Sequence, residues 1–228
     1  MGIPGIKALL FMKGKSERVP GKNMKDFCNK PLFFWIMESL SNSQYIKEII
    51  INTDSLDVAK SAKENFDVTI HMRPDYLLNI SSNEAYQLMA YDLEITEGEY
   101  FLQTHSTTPL VKSETIDRAI ETFFSQTQYD SLLSVTPLKK RLFTSNGVPI
   151  NHDPNALIRT QELPVIYEEN SCIYIFSRKV MNTRKNRIGS KPLFFDMDPL
   201  ESIDIDEIFD FITAESIMKQ RLQNGVGY

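Results

Sequence analysis

The chain has 228 residues, long for one domain and short for two, and its 42% hydrophobic content suffices for a proper core. Against 25 basic side chains stand 30 acidic ones, a net charge of −5, which argues against nucleic acid or an anionic membrane as the main partner. No run approaches the ~20 apolar residues of a membrane-spanning helix.

The opening stretch MGIPGIKALLFMK carries Lys7 and only five unbroken apolar residues. That is not the apolar region of a signal peptide, and Ile6 stands where a myristoylation signal needs Ser or Thr. A reducing cytoplasm is therefore the expected setting. Ile6 to Met12 reads as a buried strand. KGKSERVPGKN, Lys13 to Asn23, follows it directly with three lysines, one arginine, two glycines and a proline. It is no Walker loop, because Gly14 and Gly21 are separated by six residues and Lys22 precedes Asn23 instead of Ser or Thr; GxGxxG is absent as well. Composition leaves two readings open: an anion-holding loop at a strand end, with glycines that let backbone N–H groups approach, or a solvated surface loop.

Further strands are expected at Glu48–Asn52, Val68–His71, Tyr100–Thr104 and Ser131–Val135. Between them PLFFWIMESL, LDVAKSAKEN, NEAYQLMAYDLEI and SETIDRAIETFFSQ space their apolar residues near 3.6, with Pro31, Ser55 and Ser113 at or near helix starts. PLFFWIMESL reads as a core helix, or a helix plus dimer surface, and not as a cofactor box. Repeated βα units predict a three-layer α/β fold, a mostly parallel sheet with helices on both faces. From about 137 to 170 the rhythm changes to a polar stretch with Gly147, Pro149, Pro154 and Pro164, a small β/loop excursion containing a hairpin. Strands return at SCIYIFS and LFFDM, and DEIFDFITAESIMKQRL closes the chain as a helix. One domain over residues 1–228 is expected.

Near the end, IDID alternates apolar and acidic residues. On a strand, Asp204 and Asp206 would point to one side while Ile203 and Ile205 enter the core. Two carboxylates on one face suit a hard cation, although Asp206 as a helix cap is an equally simple account. A second acidic pair, Asp196 and Asp198 in DMD, has the DxD form of metal-dependent glycosyltransferases but lies late in the chain. Cys28 and Cys172 lack any metal spacing and read as buried free thiols. His71 and His152 read as structural, whereas His105 lies beside Gln103.

Four segments in unbroken order, KGKSERVPGKN, INTDS, RTQELPVIYEENSCIYIF and ESIDIDEIFDF, resemble the signature segments of the acylneuraminate-type cytidylyltransferases, with Ser16, Pro20, Lys22 and Asn23 in register with the first. The resemblance implies a nucleotide-diphosphosugar transferase fold, a homodimer, and transfer of CMP from CTP to a sialic-acid-like sugar acid with Mg2+ and release of pyrophosphate. It implies that Lys22 holds the triphosphate with Lys13, Gly14, Ser16, Arg18 and Asn23. It further implies that Arg73, Ser81 and Ser82 approach the base, that Asp204 and Asp206 carry the metal, and that Gln103, Arg159, Asn170 and Tyr174 face the sugar, Arg159 pairing its carboxylate. The departures are Lys13 for the family's Arg, Glu17 for its Lys, and LQTHSTTPL, two residues longer than LQPTSPL. An octulosonate or other acidic acceptor, a glycosyltransferase using DMD and a non-catalytic nucleotide-binding relative are the alternatives.

Overall fold

In a computed structural model, which describes residues 2–16 and 18–225, the first run becomes β1 (Ile6–Met12). The chain continues through a short hairpin, β2 (Asp26–Phe27) and β3 (Lys30–Pro31), into α1 (Leu32–Asn42), β4 (Ile46–Thr53), α2 (Leu56–Asn65), β5 (Thr69–Met72), α3 (Tyr86–Glu94), β6 (Tyr100–Thr104), α4 (Ser113–Phe124) and β7 (Ser131–Leu138). After the excursion come β8 (Ile166–Ser177), α5 (Arg178–Arg184), β9 (Pro192–Asp196) and α6 (Ile208–Gln223). β7 reaches Leu138 and β8 starts at Ile166, so the excursion contracts to residues 139–165. Within it Phe143 bridges Pro149, which is the expected hairpin.

The seven-stranded sheet has the order β5-β4-β1-β6-β8-β7-β9. β8 alone runs against its neighbours, antiparallel to β6 and β7, while the other pairings are parallel. A strand that follows an excursion without a crossover helix returns in the opposite sense.

Because the sheet is covered on both sides, its central strands are nearly continuous apolar runs. Ala8, Leu10 and Met12 of β1 enter the cluster with α1, α2 and α4, and Leu9 enters the one with α3 and α5. A third cluster joins Phe27, Leu32, Trp35 and Leu110 to Phe211, Ala214 and Met218 of α6, with the Phe27 and Phe211 rings edge to face at 5.3 Å. This contact matters for the site, since it holds the start of α6 against the hairpin that ends the basic loop. α1 is buried within the single chain through Leu32, Phe33, Trp35, Ile36, Met37 and Leu40. Cys28 and Cys172 are buried free thiols, as expected.

Candidate active site

The basic loop leaves β1 and closes on the 3-10 turn Lys22–Met24, which Gly21 enters at φ 64, a conformation cheap only for glycine. Gly14 lies so close to Ser55 that a Cβ would come within 2.8 Å of the serine Cβ, and its N–H donates to Asp54 Oδ1 at 2.6 Å. Asn23 pins the loop, its Nδ2 donating to the Lys13 carbonyl at 2.8 Å and its Oδ1 accepting from Ser106 Oγ at 2.6 Å. Lys13, Lys15, Ser16, Arg18, Lys22 and Asn23 thus line one cleft of about 320 Å³, closed by Phe11, Ser106 and Thr107. Glu17 lies outside the described residues.

Asp204 and Asp206 come to the same place, but not on a strand. Residues 202–206 carry no regular secondary structure, because no strand among the described residues pairs with them: Ile205 donates its N–H to the Thr107 carbonyl at 2.9 Å and its carbonyl accepts from Lys22 Nζ. The expected alternation survives in part, with Ile205 fully buried. Nor does Asp206 cap α6, since Glu207 and Asp210 form the capping box. The Asp206 carboxylate instead faces the basic loop, with Oδ1 2.7 Å from Arg18 Nη2 and 3.9 Å from Lys22 Nζ. Burial lowers the Lys22 pKa against the pull of Asp206 and Asp204, and burial raises that of Asp204.

Asp204 and Asp206 also line a larger cleft of about 700 Å³ with Asn170, Glu168, Glu169, Lys139 and Lys140. The longer loop LQTHSTTPL supplies Ser106 and Thr107, which tie the basic loop to the acidic segment. Asn170 is buried, accepting from Ser134 Oγ at 2.5 Å and the Cys172 N–H at 3.2 Å and donating to Thr136 Oγ1 at 3.1 Å. Gln103 and Tyr174 are paired across β6 and β8 and joined by Arg187, which donates to Gln103 Oε1 at 2.8 Å and stacks on the Tyr174 ring at 3.4 Å. Arg187 carries no motif a sequence reading could single out; only the paired strands reveal it. His105 sits beside this group, its ring pKa driven down to about 4 by burial and then by Arg187.

Arg73, Ser81 and Arg159 line neither cleft. Arg73 is buried, donating Nε–H to Asn52 Oδ1 at 2.9 Å, and Asn52 in turn donates to Asp92, which also meets His71. Ser81 donates to Glu84 Oε2 at 2.6 Å, a local turn contact; the Ser82 side chain lies outside the described residues. Arg159 is exposed before the 3-10 turn Thr160–Glu162. Asp198 closes a turn by accepting the Leu200 N–H at 2.8 Å, and neither it nor Asp196 lines the large cleft.

A profile of the family described as Cytidylyltransferase matches residues 8–222. The chain is 26% identical to the post-translational flagellin modification protein B of Campylobacter coli, over 95% of this chain and 96% of that protein. It is 27% identical to the CMP-N,N′-diacetyllegionaminic acid synthase of Legionella pneumophila, over 94% and 96%, and it spans about half the length of the N-acylneuraminate cytidylyltransferases of Danio rerio that it matches. A solved structure of CMP:2-keto-3-deoxy-manno-octonic acid synthetase complexed with CTP shares the fold at a TM-score of 0.71 and 12% identity, over 96% of this chain and 99% of that one.

Proposed function

The chain belongs to the cytidylyltransferase family, and from that premise we propose that it transfers CMP from CTP to a nonulosonic sugar acid, releasing pyrophosphate, with Mg2+ as the metal. The observation that carries this reading is the meeting of Lys22 with Asp206 at 3.9 Å from opposite ends of the chain, where the small cationic cleft adjoins the large one.

A sugar hydroxyl oxygen attacks the α-phosphorus of CTP; the new P–O bond forms as the bond to pyrophosphate breaks. Such transfers depend on positioning and charge stabilisation more than on covalent help. Lys22, with Lys13 and Arg18, neutralises the charge that grows on the leaving group, and Lys22 is oriented for this by the Ile205 carbonyl. Arg18 exchanges its exposed pairing with Asp206 for phosphate oxygens, which costs little because both side chains are about half exposed.

The acidic segment fits a magnesium ion. Asp204 Oδ1 is buried with no hydrogen-bond partner among the described residues, and those residues hold no cluster of three or more potential ligand side chains. One or two carboxylates completed by phosphates and water is the usual magnesium arrangement. Asp204 and Asp206 would hold the ion, which would supply charge neutralisation on the triphosphate and make the attacking hydroxyl more acidic.

A homodimer and a cytoplasmic setting complete the proposal. The dimer is supported by exposed apolar side chains on the excursion, Phe143, Val148, Ile150 and Leu157. Among the described residues no helix is long and apolar enough to cross a membrane.

The test is pyrophosphate release from each of the four common nucleoside triphosphates with Mg2+ and a panel of sugar acids. CTP-selective release with a nonulosonic acid is expected, and Lys22→Ala should lose turnover by at least about 100-fold while melting cooperatively. Wild-type release from that variant rejects the assignment, and release with 3-deoxy-manno-octulosonate alone moves the acceptor to that class.

A further inference from the structure

The transfer just described gives no role to an arginine that lies behind one wall of the large cleft, in reach of the cleft-lining Glu169. Arg187, brought in by the segment after α5, lies flat on the Tyr174 ring, its guanidinium carbon 3.4 Å from the centroid. Nη1 donates to Gln103 Oε1 at 2.8 Å, which fixes the rotation of the plane and leaves Nη2 within 3.9 Å of Glu169 Oε1. The same Glu169 oxygen accepts from the Tyr174 hydroxyl, which also meets Ser171 Oγ at 3.1 Å.

Tyr174 is fully buried in the core, and burial pushes its phenol up to about 12, so it keeps its proton and remains a donor at any working pH. Gln103 and Tyr174 face each other on paired strands, a rigid base for a planar cation. Glu169 is different: its side chain is 44% exposed, against 21% for Arg187, and it lines the large cleft beside Asn170 and Asp204. At 3.9 Å its contact with Arg187 is an ion pair without a hydrogen bond, so the two-pronged fork that arginine offers a carboxylate is unused. A tethered carboxylate at the wall of the cleft that holds the two aspartates therefore sits, imperfectly, on a rigid arginine–tyrosine pair behind it.

We propose that Arg187 and the Tyr174 hydroxyl form the receptor for the carboxylate of the acidic sugar, and that Glu169 is a displaceable stand-in that gives up this place when the substrate enters. The inference rests on the reading of the acceptor as a sugar acid. It assigns recognition of the acid to the segment between α5 and β9 instead of to Arg159, which stands exposed on the excursion without such a base. A neutral sugar would leave the guanidinium half-paired, so the arrangement selects for the acid.

The experiment measures KM for both substrates in the full chain with Mg2+, by pyrophosphate release, using N-acetylneuraminate, N,N′-diacetyllegionaminate, pseudaminate and 3-deoxy-manno-octulosonate. Arg187→Gln should raise KM for the preferred acid roughly 10- to 100-fold and leave KM for CTP unchanged. Glu169→Gln, which keeps an acceptor for Tyr174 but removes the competing charge, should lower it severalfold. The carboxamide of the preferred acid, used as an inhibitor, should bind wild type and Arg187→Gln alike, which a merely structural role for Arg187 would not produce. If Arg187→Gln does not melt cooperatively, Arg187→Lys takes its place, with charge kept, fork lost and KM for the acid again raised. An acid KM within about twofold of wild type in the arginine variant, or one unchanged or raised in Glu169→Gln, overturns the receptor and leaves CMP transfer standing. A wild-type chain that releases pyrophosphate with none of the acids overturns that transfer, and the receptor with it.

Discussion

Asp204 keeps Oδ1 buried and unpartnered among the described residues. Burial raises its pKa above the ordinary carboxylate value of 3.8, against the Thr107 hydroxyl and Lys22, which pull it down. The unfolded chain therefore releases this proton more readily than the folded one, and ionised Asp204 opposes folding. The penalty is absent below pH 3.8, grows as pH rises through the raised folded value, and is full above it. Asp204→Asn should accordingly raise the melting temperature at pH 7, with no gain at pH 3.5, while pyrophosphate release falls by about 100-fold or more. A melting temperature that drops at pH 7 would contradict this. His105 carries the opposite sign of charge and the same logic. Its pKa is lowered from 6.5 to about 4 by burial first and Arg187 second, so the unfolded chain takes up the proton earlier, and stability falls as pH drops through that window. His105→Gln should flatten the decline of the urea midpoint between pH 6.5 and 4; an unchanged slope would show that His105 is not the group responsible.

The antiparallel strand β8 turns this residue chemistry into shape. Its pairing with β7 shifts register between Leu133 and Val135, and opposite that shift Ser171 adopts a left-handed φ of 60. Asn170 braces the irregularity with its bonds to Ser134, Thr136 and Cys172, and the bend brings Glu169 back over Tyr174, five residues on. Asn170→Ala should cost about 2–4 kcal/mol in urea denaturation by leaving these buried groups short of partners. It should also raise KM for the acid more than KM for CTP, because the bend presents Glu169 and Ser171 to the large cleft. A loss of stability with both KM values unmoved would confine Asn170 to a folding role. Such features set the limit on what was legible beforehand. Strands buried on both faces and amphipathic helices announce themselves by period, so β1 and β6 and helix α2 were readable to the residue. The bulge, the reversed strand and the short α5 depend on partners distant in sequence. IDID was misread as a strand because alternation records which side is buried, not whether a neighbouring strand exists to pair with.

At the level of the whole molecule, the legible part of the site was its two charged segments, and the illegible part was what joins them. The joints are the Ser106–Asn23 and Ile205–Thr107 bonds and the packing of α6 on the β2–β3 hairpin through Phe27 and Phe211. Arg187 belongs with these, because its place depends on strands that meet only in the fold. Two segments held together in this way respond to a common ligand as one body. Across the opening the Arg18–Asp206 pair, at 55% and 49% exposed, contributes at most about 1 kcal/mol, so it gives way readily to a triphosphate that satisfies both halves better. Hydrogen exchange on the full chain should therefore show residues 13–25 and 202–210 gaining protection together on addition of CTP with Mg2+, over one concentration range and with the same midpoint. With CTP and a chelator the basic segment alone should respond, because the aspartates then repel the phosphates. Protection of residues 202–210 by CTP without metal, or two separate midpoints with it, would mean that the ends of the chain do not grip one ligand, whatever their proximity in the fold.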